Sequence, residues 1–171
     1  VGVRTIIRIG TCGSIQASVA PGASVISSAA LCRQGAANDI APPEYPAAAD
    51  PFLTVALADA ARAMGIAHAV GITASVDTFY EGQERSTSSA NPFLLRNLRG
   101  MTDEFRHLNV LNYEMEAGTL FKMAGVYGFR AGCVCGVIAQ RTVGENVVMD
   151  AKGGAVERAI EVALAAAEKF A

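Results

Sequence analysis

No cysteine pair in this sequence has the CxxC spacing of a zinc site; the four cysteines are Cys12, Cys32, Cys133 and Cys135. A chain of 171 residues, 51% of them hydrophobic, buries a sizeable core without disulfide staples, so free, buried thiols in a reducing cytosol are the plain reading. Histidine is scarce. His68 and His107 are the only two, and neither has a partner at metal-ligand spacing or within a Ser/Cys-His-Asp arrangement. Both are read as structural or exposed, and no metal or cofactor is expected. Long apolar runs are missing too. One apolar run, Cys133 to Ala139, falls far below the ~20 residues that span a bilayer. Arg8 interrupts the short apolar stretch Thr5 to Ile9, so no secretory signal is visible. The expectation is a soluble cytoplasmic protein with no membrane partner. Charge of one sign is nowhere clustered. Lys and Arg, 14 in all, are scattered against 16 Asp and Glu, for a net charge of -2, which argues against a nucleic-acid surface. The chain starts Val-Gly-Val-Arg without an initiator Met and enters a strand pattern at once; a piece of a longer protein is expected.

What is present is an alternation of apolar strands and amphipathic helices. Thr5–Ile9 reads as a buried strand, with Gly10–Gly13 as the turn after it. Ala23–Leu31 reads as a second strand, and the Pro-rich stretch 33–49 as loop. Asp50-Pro51 is a helix start, a capping acid followed by Pro at the first helical position. Leu53, Leu57, Ala60 and Met64 follow at helical spacing, and Gly65 closes the helix. Ala67–Ser75 predicts a strand covered on both faces, followed by a long polar loop over 76–91. Short helical segments are predicted at 92–99 and 102–108, a strand at 110–113, a helix at 115–127 and a buried strand at 129–139. A loop follows over 140–148. A closing helix over 150–170 carries Val156, Ile160, Leu164 and Ala167 on one face. The class is α/β, a single domain with a central mixed, largely parallel twisted sheet. Ligands in such folds bind beyond the carboxyl ends of strands, so the loops starting at Gly10, Val76, Tyr113 and Gln140 are the places to look for chemistry.

Four segments carry groups suited to chemistry, and each has a plainer reading. In Arg8-Ile-Gly-Thr-Cys-Gly13, small residues let backbone N–H groups approach an anion, with Thr11 and Arg8 adding a hydroxyl and a charge; otherwise it is a tight turn with a structural arginine. The loop Asp77-Thr-Phe-Tyr-Glu-Gly-Gln-Glu-Arg85 offers a ring face at Phe79, an amide at Gln83 and a guanidinium at Arg85, which suits a planar heterocycle. Its plainer reading is a solvated loop with Phe79 tucked into the core. In Asn112-Tyr-Glu-Met-Glu116 the carboxylates of Glu114 and Glu116 can each accept from two vicinal hydroxyls beside an apolar Met115. They also stand where a helix dipole favours acids. Arg141, directly after a buried strand, can stabilise an anionic leaving group or sit in a surface ion pair.

Together these segments resemble the nucleoside phosphorylase family and, within it, the uridine-specific members. Glu-Met-Glu is shared with purine-specific relatives, whereas Phe-Tyr-x-Gly-Gln-Glu-Arg marks the uridine enzymes. The resemblance implies a three-layer α/β/α fold and reversible phosphorolysis of uridine to uracil and ribose 1-phosphate, with phosphate as co-substrate. It implies that Arg8, Gly10 and Thr11 hold phosphate and that Phe79 packs on the base. Gln83 and Arg85 read the uracil edge, Glu114, Met115 and Glu116 hold the ribose, and Arg141 stabilises the departing base. Arg141, Arg85 and Glu116 are the residues it makes catalytic. Purine relatives carry an Asp after the strand that ends near Ala139; Ile138-Ala-Gln-Arg141 has no acid there. The resemblance also implies a homo-oligomer, a hexamer built as a trimer of dimers. Family members have a segment before the Arg8 strand, with a Gly-rich phosphate loop and further arginines, that this sequence does not contain; on that ground the 171 residues alone are expected to be inactive. A purine nucleoside phosphorylase or nucleosidase of the same fold, and a nucleoside-binding protein with an incomplete phosphate site, remain the alternatives.

Overall fold

The computed structural model describes residues 2–142, 146–147 and 152–170. Six strands form one sheet: β1 (Thr5–Ser14), β2 (Ser24–Arg33), β3 (His68–Val76), β4 (Asn112–Glu114), β5 (Arg130–Gln140) and β6 (Asn146–Val147). The helices are α1 (Gly35–Asn38), α2 (Pro51–Ala63), α3 (Met101–His107), α4 (Ala117–Tyr127) and α5 (Lys152–Ala167). Strand order is β1-β4-β3-β2-β5-β6, and a further β1–β5 pairing closes the first five into a ring. Pairs β1/β5, β2/β3 and β3/β4 are parallel, while β1/β4, β2/β5 and β5/β6 are antiparallel. The sheet is therefore mixed, as the sequence pattern predicts, but it is closed, with three parallel and three antiparallel pairings where a largely parallel sheet is expected.

Helix α2 forms as its local signals dictate. Asp50 Oδ1 accepts the Leu53 N–H at 2.8 Å, Pro51 occupies the first turn, and Gly65 takes φ +67° just past the end. Leu53, Leu57, Ala60 and Ala61 are buried against Ile26 and Val134 of the sheet and Ala159, Val162, Ala163 and Ala166 of α5. Each fully buried leucine there contributes about 1.5–3 kcal/mol. Cys133, Cys135 and Val137 of β5 pack instead with Phe121, Ala117 and Ala124 of α4. Neighbours along a strand point to opposite faces, so β5 is covered on both. A third cluster joins Ile15, Val76, Met101, Phe105, Val110 and Tyr113.

Several expectations are corrected. Gly10–Gly13 is not a turn; β1 runs through it, with Gly10 opposite Cys135, Thr11 opposite Gly136 and Cys12 opposite Val137. The ladder to β5 supplies backbone partners that a local glycine signal cannot reveal. Nor are β1 and β3 covered throughout: Ile6, Ile9, Val70 and Ile72 are all more than a third exposed. Helix α5 buries Ala155, Ala159, Val162, Ala163 and Ala166, leaving Ile160 and Leu164 outward. A Cβ on Gly136 would lie 2.5 Å from the Ala155 carbonyl oxygen; so close an approach of helix to strand admits only small residues, which selects the alanine face. The 33–49 loop contains the short α1, and 92–99 is helical only as a 3-10 turn at Arg96–Leu98. Within the predicted 140–148 loop, Asn146–Val147 pair with β5; residues 143–145 and 148–151, including the predicted start of the closing helix, lie outside the described residues.

Candidate active site

The ends of β1, β3, β4 and β5 bring the four sequence segments to one cavity of about 260 Å³. Arg8, Thr11, Cys12 and Gly13 line it from β1; Phe79, Gln83 and Arg85 from the loop after β3; Tyr113, Glu114, Met115 and Glu116 from β4 and the entry to α4; Ile138 and Ala139 from β5. A roomier groove of about 410 Å³ between β1 and α5 is lined by Thr5, Ile7, Ile9, Ala163, Leu164, Ala167 and Phe170. It carries no titratable side chain, so chemistry points to the first cavity.

At one end stands Arg8. Its Nε donates to Glu116 Oε2 at 2.9 Å and lies 3.1 Å from Glu114 Oε2; Nη2 also meets Glu116. Nη1 donates to the Cys135 thiol at 3.2 Å. A Cβ on Gly10 would fall 2.0 Å from Nη1, so Gly10 is the space through which Arg8 folds back along its own strand. Burial disfavours the Arg8 charge, but Cys135, Cys133, Glu114 and Glu116 outweigh it and hold the guanidinium above its usual range. The Cys133 thiol is pushed well up, first by its hydrogen bond with Cys135 and then by burial; for Cys135 the first cause is the Cys12 hydrogen bond. These thiols are free, with Cys12, Cys133 and Cys135 buried and Cys32 half-buried.

The two carboxylates divide their work. Glu114 is buried, and its Oε2 accepts the backbone N–H groups of Glu116 and Ala117, each at 2.9 Å. That is the helix-terminus role, stabilising the first turn of α4. The Glu116 side chain is 61% exposed and stands at the cavity wall beside Met115.

At the other end the guanidinium of Arg85 lies over the Phe79 ring, 4.2 Å from its centroid, and Arg85 Nε donates to Gln83 Oε1 at 3.2 Å. Gln83 and Arg85 are both buried. Burial first, and Arg141 second, lower the Arg85 pKa to about 10. Arg141 does not line the cavity. Its Nη1 donates to the Gln83 carbonyl at 2.7 Å, Nη2 to the Glu84 carbonyl at 3.4 Å, and its guanidinium lies 5.6 Å from the Tyr113 ring centroid. Burial pulls its pKa down as well. Neither reading of Arg141 from the sequence includes this backbone clamp on the loop. A Cβ on Gly13 would come within 3.4 Å of Arg85 Nη2 and 3.7 Å of Arg141 Cδ, so Gly13 keeps space beside both cations.

Gly10 also stands off the cavity wall, whereas Tyr113, Ile138 and Ala139 belong to it without having been singled out. Tyr113 lies inside the segment chosen for its acids, and its phenol pKa is raised by burial. His68 Nδ1 contacts the Ile66 carbonyl at 2.9 Å and His107 Nδ1 the Asp103 carbonyl at 2.8 Å. Both make local backbone contacts. Among the described residues no group of three or more His, Cys, Asp or Glu could hold a metal ion, and no helix is long and apolar enough to cross a membrane.

One cavity on a mixed α/β fold thus gathers Arg8, Arg85 and an accessible carboxylate, Glu116, that pairs with Arg8. The sequence model of the phosphorylase superfamily matches residues 1–171, and the chain belongs to that superfamily. It is 44% identical over 167 residues to a uridine phosphorylase of Haemophilus influenzae, covering 98% of this chain and 66% of that protein. A uridine phosphorylase of Thermococcus kodakarensis is 42% identical over 145 residues, 85% of this chain and 52% of its own. One from Escherichia coli is 39% identical over 169 residues, 99% and 66% respectively. A guanosine phosphorylase of Halorubrum lacusprofundi is 32% identical over 177 aligned positions. The chain thus spans between half and two thirds of the length of these relatives.

Proposed function

We propose that the protein catalyses the reversible phosphorolysis of uridine to uracil and ribose 1-phosphate. The observation that carries this reading is one cavity lined by Phe79, Gln83 and Arg85, by Arg8 and Thr11, and by Glu116, which pairs with Arg8. The names of the relatives support it.

In this reading Arg8 and Thr11 hold phosphate, and Glu116 accepts from the ribose 2′- and 3′-hydroxyls beside Met115. The uracil ring packs on Phe79, with its edge at Gln83 and Arg85. A phosphate oxygen attacks C1′ as the C1′–N1 bond breaks, and the bonding pair leaves with the base. Uracil departs as an anion whose charge spreads onto its carbonyl oxygens, where the positive field of Arg85 and Arg141 stabilises it. Positioning and electrostatics supply the rate; no covalent nucleophile is needed. Arg141 contributes from behind the loop, through Gln83 and Glu84. Phosphate is a co-substrate, and the reaction asks for no cofactor.

Residues 1–171 are taken as one domain of the three-layer α/β/α form, a reading the alternating packing of β5 supports. The working form is a cytoplasmic homo-oligomer, a hexamer assembled as a trimer of dimers, which light scattering tests. A substrate panel of uridine, inosine and methylthioadenosine, each with inorganic phosphate, tests the activity. Uridine is cleaved fastest on this reading; a preference for inosine would replace it with the purine alternative.

A further inference from the structure

The carboxylate of Glu114 faces the cavity yet is not available to a ligand, and the reason lies on the neighbouring strand. Ser75 on β3 is the register partner of Glu114 on β4. It is fully buried, and its hydroxyl donates to Glu114 Oε1. The Ser75 Oγ in turn accepts the Gly118 N–H at 2.8 Å. Gly118 makes this possible: a Cβ there would lie 2.7 Å from Cys32 Sγ and 2.9 Å from Ser75 Cβ, so only glycine lets the first turn of α4 rest on Ser75. The other oxygen of Glu114 takes the Glu116 and Ala117 N–H groups and stands 3.1 Å from Arg8 Nε. Each carboxylate oxygen therefore has a fixed partner set, one on β3 and one shared between α4 and β1.

We propose that Ser75 is a positioning residue for the anion-binding end of the cavity, acting through Glu114 on Arg8. Rotation of a carboxylate about its last bond is nearly free unless both oxygens are held. Ser75 holds Oε1, which leaves Oε2 directed at the α4 terminus and at Arg8. Without the hydroxyl, Glu114 turns to serve the Gly118 N–H that Ser75 abandons, and Arg8 loses its buried counter-charge. Arg8 is then left with Glu116 as its one close carboxylate and is drawn off the position that meets phosphate. The inference rests on the reading of Arg8 as the phosphate ligand and removes Glu114 from the ribose ligands.

Phosphate affinity is measured by calorimetry with inorganic phosphate, together with the steady-state KM for phosphate and for uridine, in the wild type, Ser75→Ala, Glu114→Gln and the double variant. Thermal unfolding is followed in each. Ser75→Ala is expected to weaken phosphate on the order of tenfold while the uridine KM moves by less than about twofold. In the Glu114→Gln background Ser75→Ala adds little, because the two act in series. Ser75→Cys, with a weaker donor, falls between and carries the same test should Ser75→Ala fail to fold. Equal losses for phosphate and uridine, additive effects, or unchanged phosphate affinity overturn the inference. A wild type that binds phosphate but leaves uridine intact sinks the proposed activity and not the role of Ser75; an active wild type with an unaltered Ser75→Ala sinks only the latter.

Discussion

Arg8 on β1 and Glu116 at the start of α4 form an ion pair at the cavity, with Arg8 Nε 2.9 Å from Glu116 Oε2. They are 108 residues apart in the chain. Each is the proposed ligand of a different substrate, Arg8 for phosphate and Glu116 for ribose. Glu116 is the exposed member of the pair and Arg8 the one held from below by buried Glu114, so Glu116 is the partner that can be exchanged when substrates arrive.

Glu116→Gln keeps the size of the side chain but removes the charge that accepts from vicinal hydroxyls. Its kcat/KM for uridine should fall on the order of 10- to 100-fold, the range for a lost charged hydrogen bond. With 2′-deoxyuridine one of the two hydroxyls is already gone, so the loss should be smaller. Comparing the two substrates in the same variant checks the assignment; equal losses would remove Glu116 from the diol.

Gly10→Ala places a methyl where Arg8 Nη1 now lies, 2.0 Å from the ideal Cβ. Alanine suits a strand no worse than glycine, so the fold should hold while Arg8 is displaced. The phosphate KM should rise at least about tenfold with the uridine KM nearly constant. A thermal melt accompanying the kinetics separates displacement from unfolding.

Arg141→Ala should lower kcat on uridine on the order of tenfold, less than the loss of a donor in direct contact with the developing anion. Because Arg141 also donates to the Gln83 and Glu84 carbonyls, the uridine KM should rise too. Wild-type turnover in this variant would rule out the leaving-group role.

The pH dependence follows from Arg85, whose pKa burial and Arg141 bring down to about 10. Below that pH it is a cation and can take up negative charge from the base; above it the guanidinium is neutral. Activity should therefore decline as pH rises through about 10. The sign for stability is opposite. A lowered pKa means the folded state disfavours the protonated form, a cost present below about 10 that fades as pH climbs toward the usual arginine range. A kcat/KM profile flat across that pH would count against a charged Arg85 at the base.

Much of this was legible in the sequence wherever the signal is local. Asp50, Pro51 and Gly65 announce α2 because capping involves residues three or four apart, and Asp50→Ala should cost about 1 kcal/mol of stability by urea denaturation. The four site segments were legible because each concentrates its unusual groups within a few residues. What could not be read depends on distant partners. Gly10–Gly13 looks like a turn until β5 is beside it. The roles of Glu114 and Ser75 emerge only when β3, β4 and α4 meet, and the buried face of α5 follows from its contact with Gly136. Arg141 lies behind the 77–91 loop, which no spacing in the sequence encodes.

The most direct test of the central claim follows uracil release from uridine while inorganic phosphate is varied, with ribose 1-phosphate assayed alongside. Uracil should appear only when phosphate is present, saturate with it, and be matched one for one by ribose 1-phosphate. Uracil released at the same rate without phosphate, or none at any phosphate concentration, would contradict that claim.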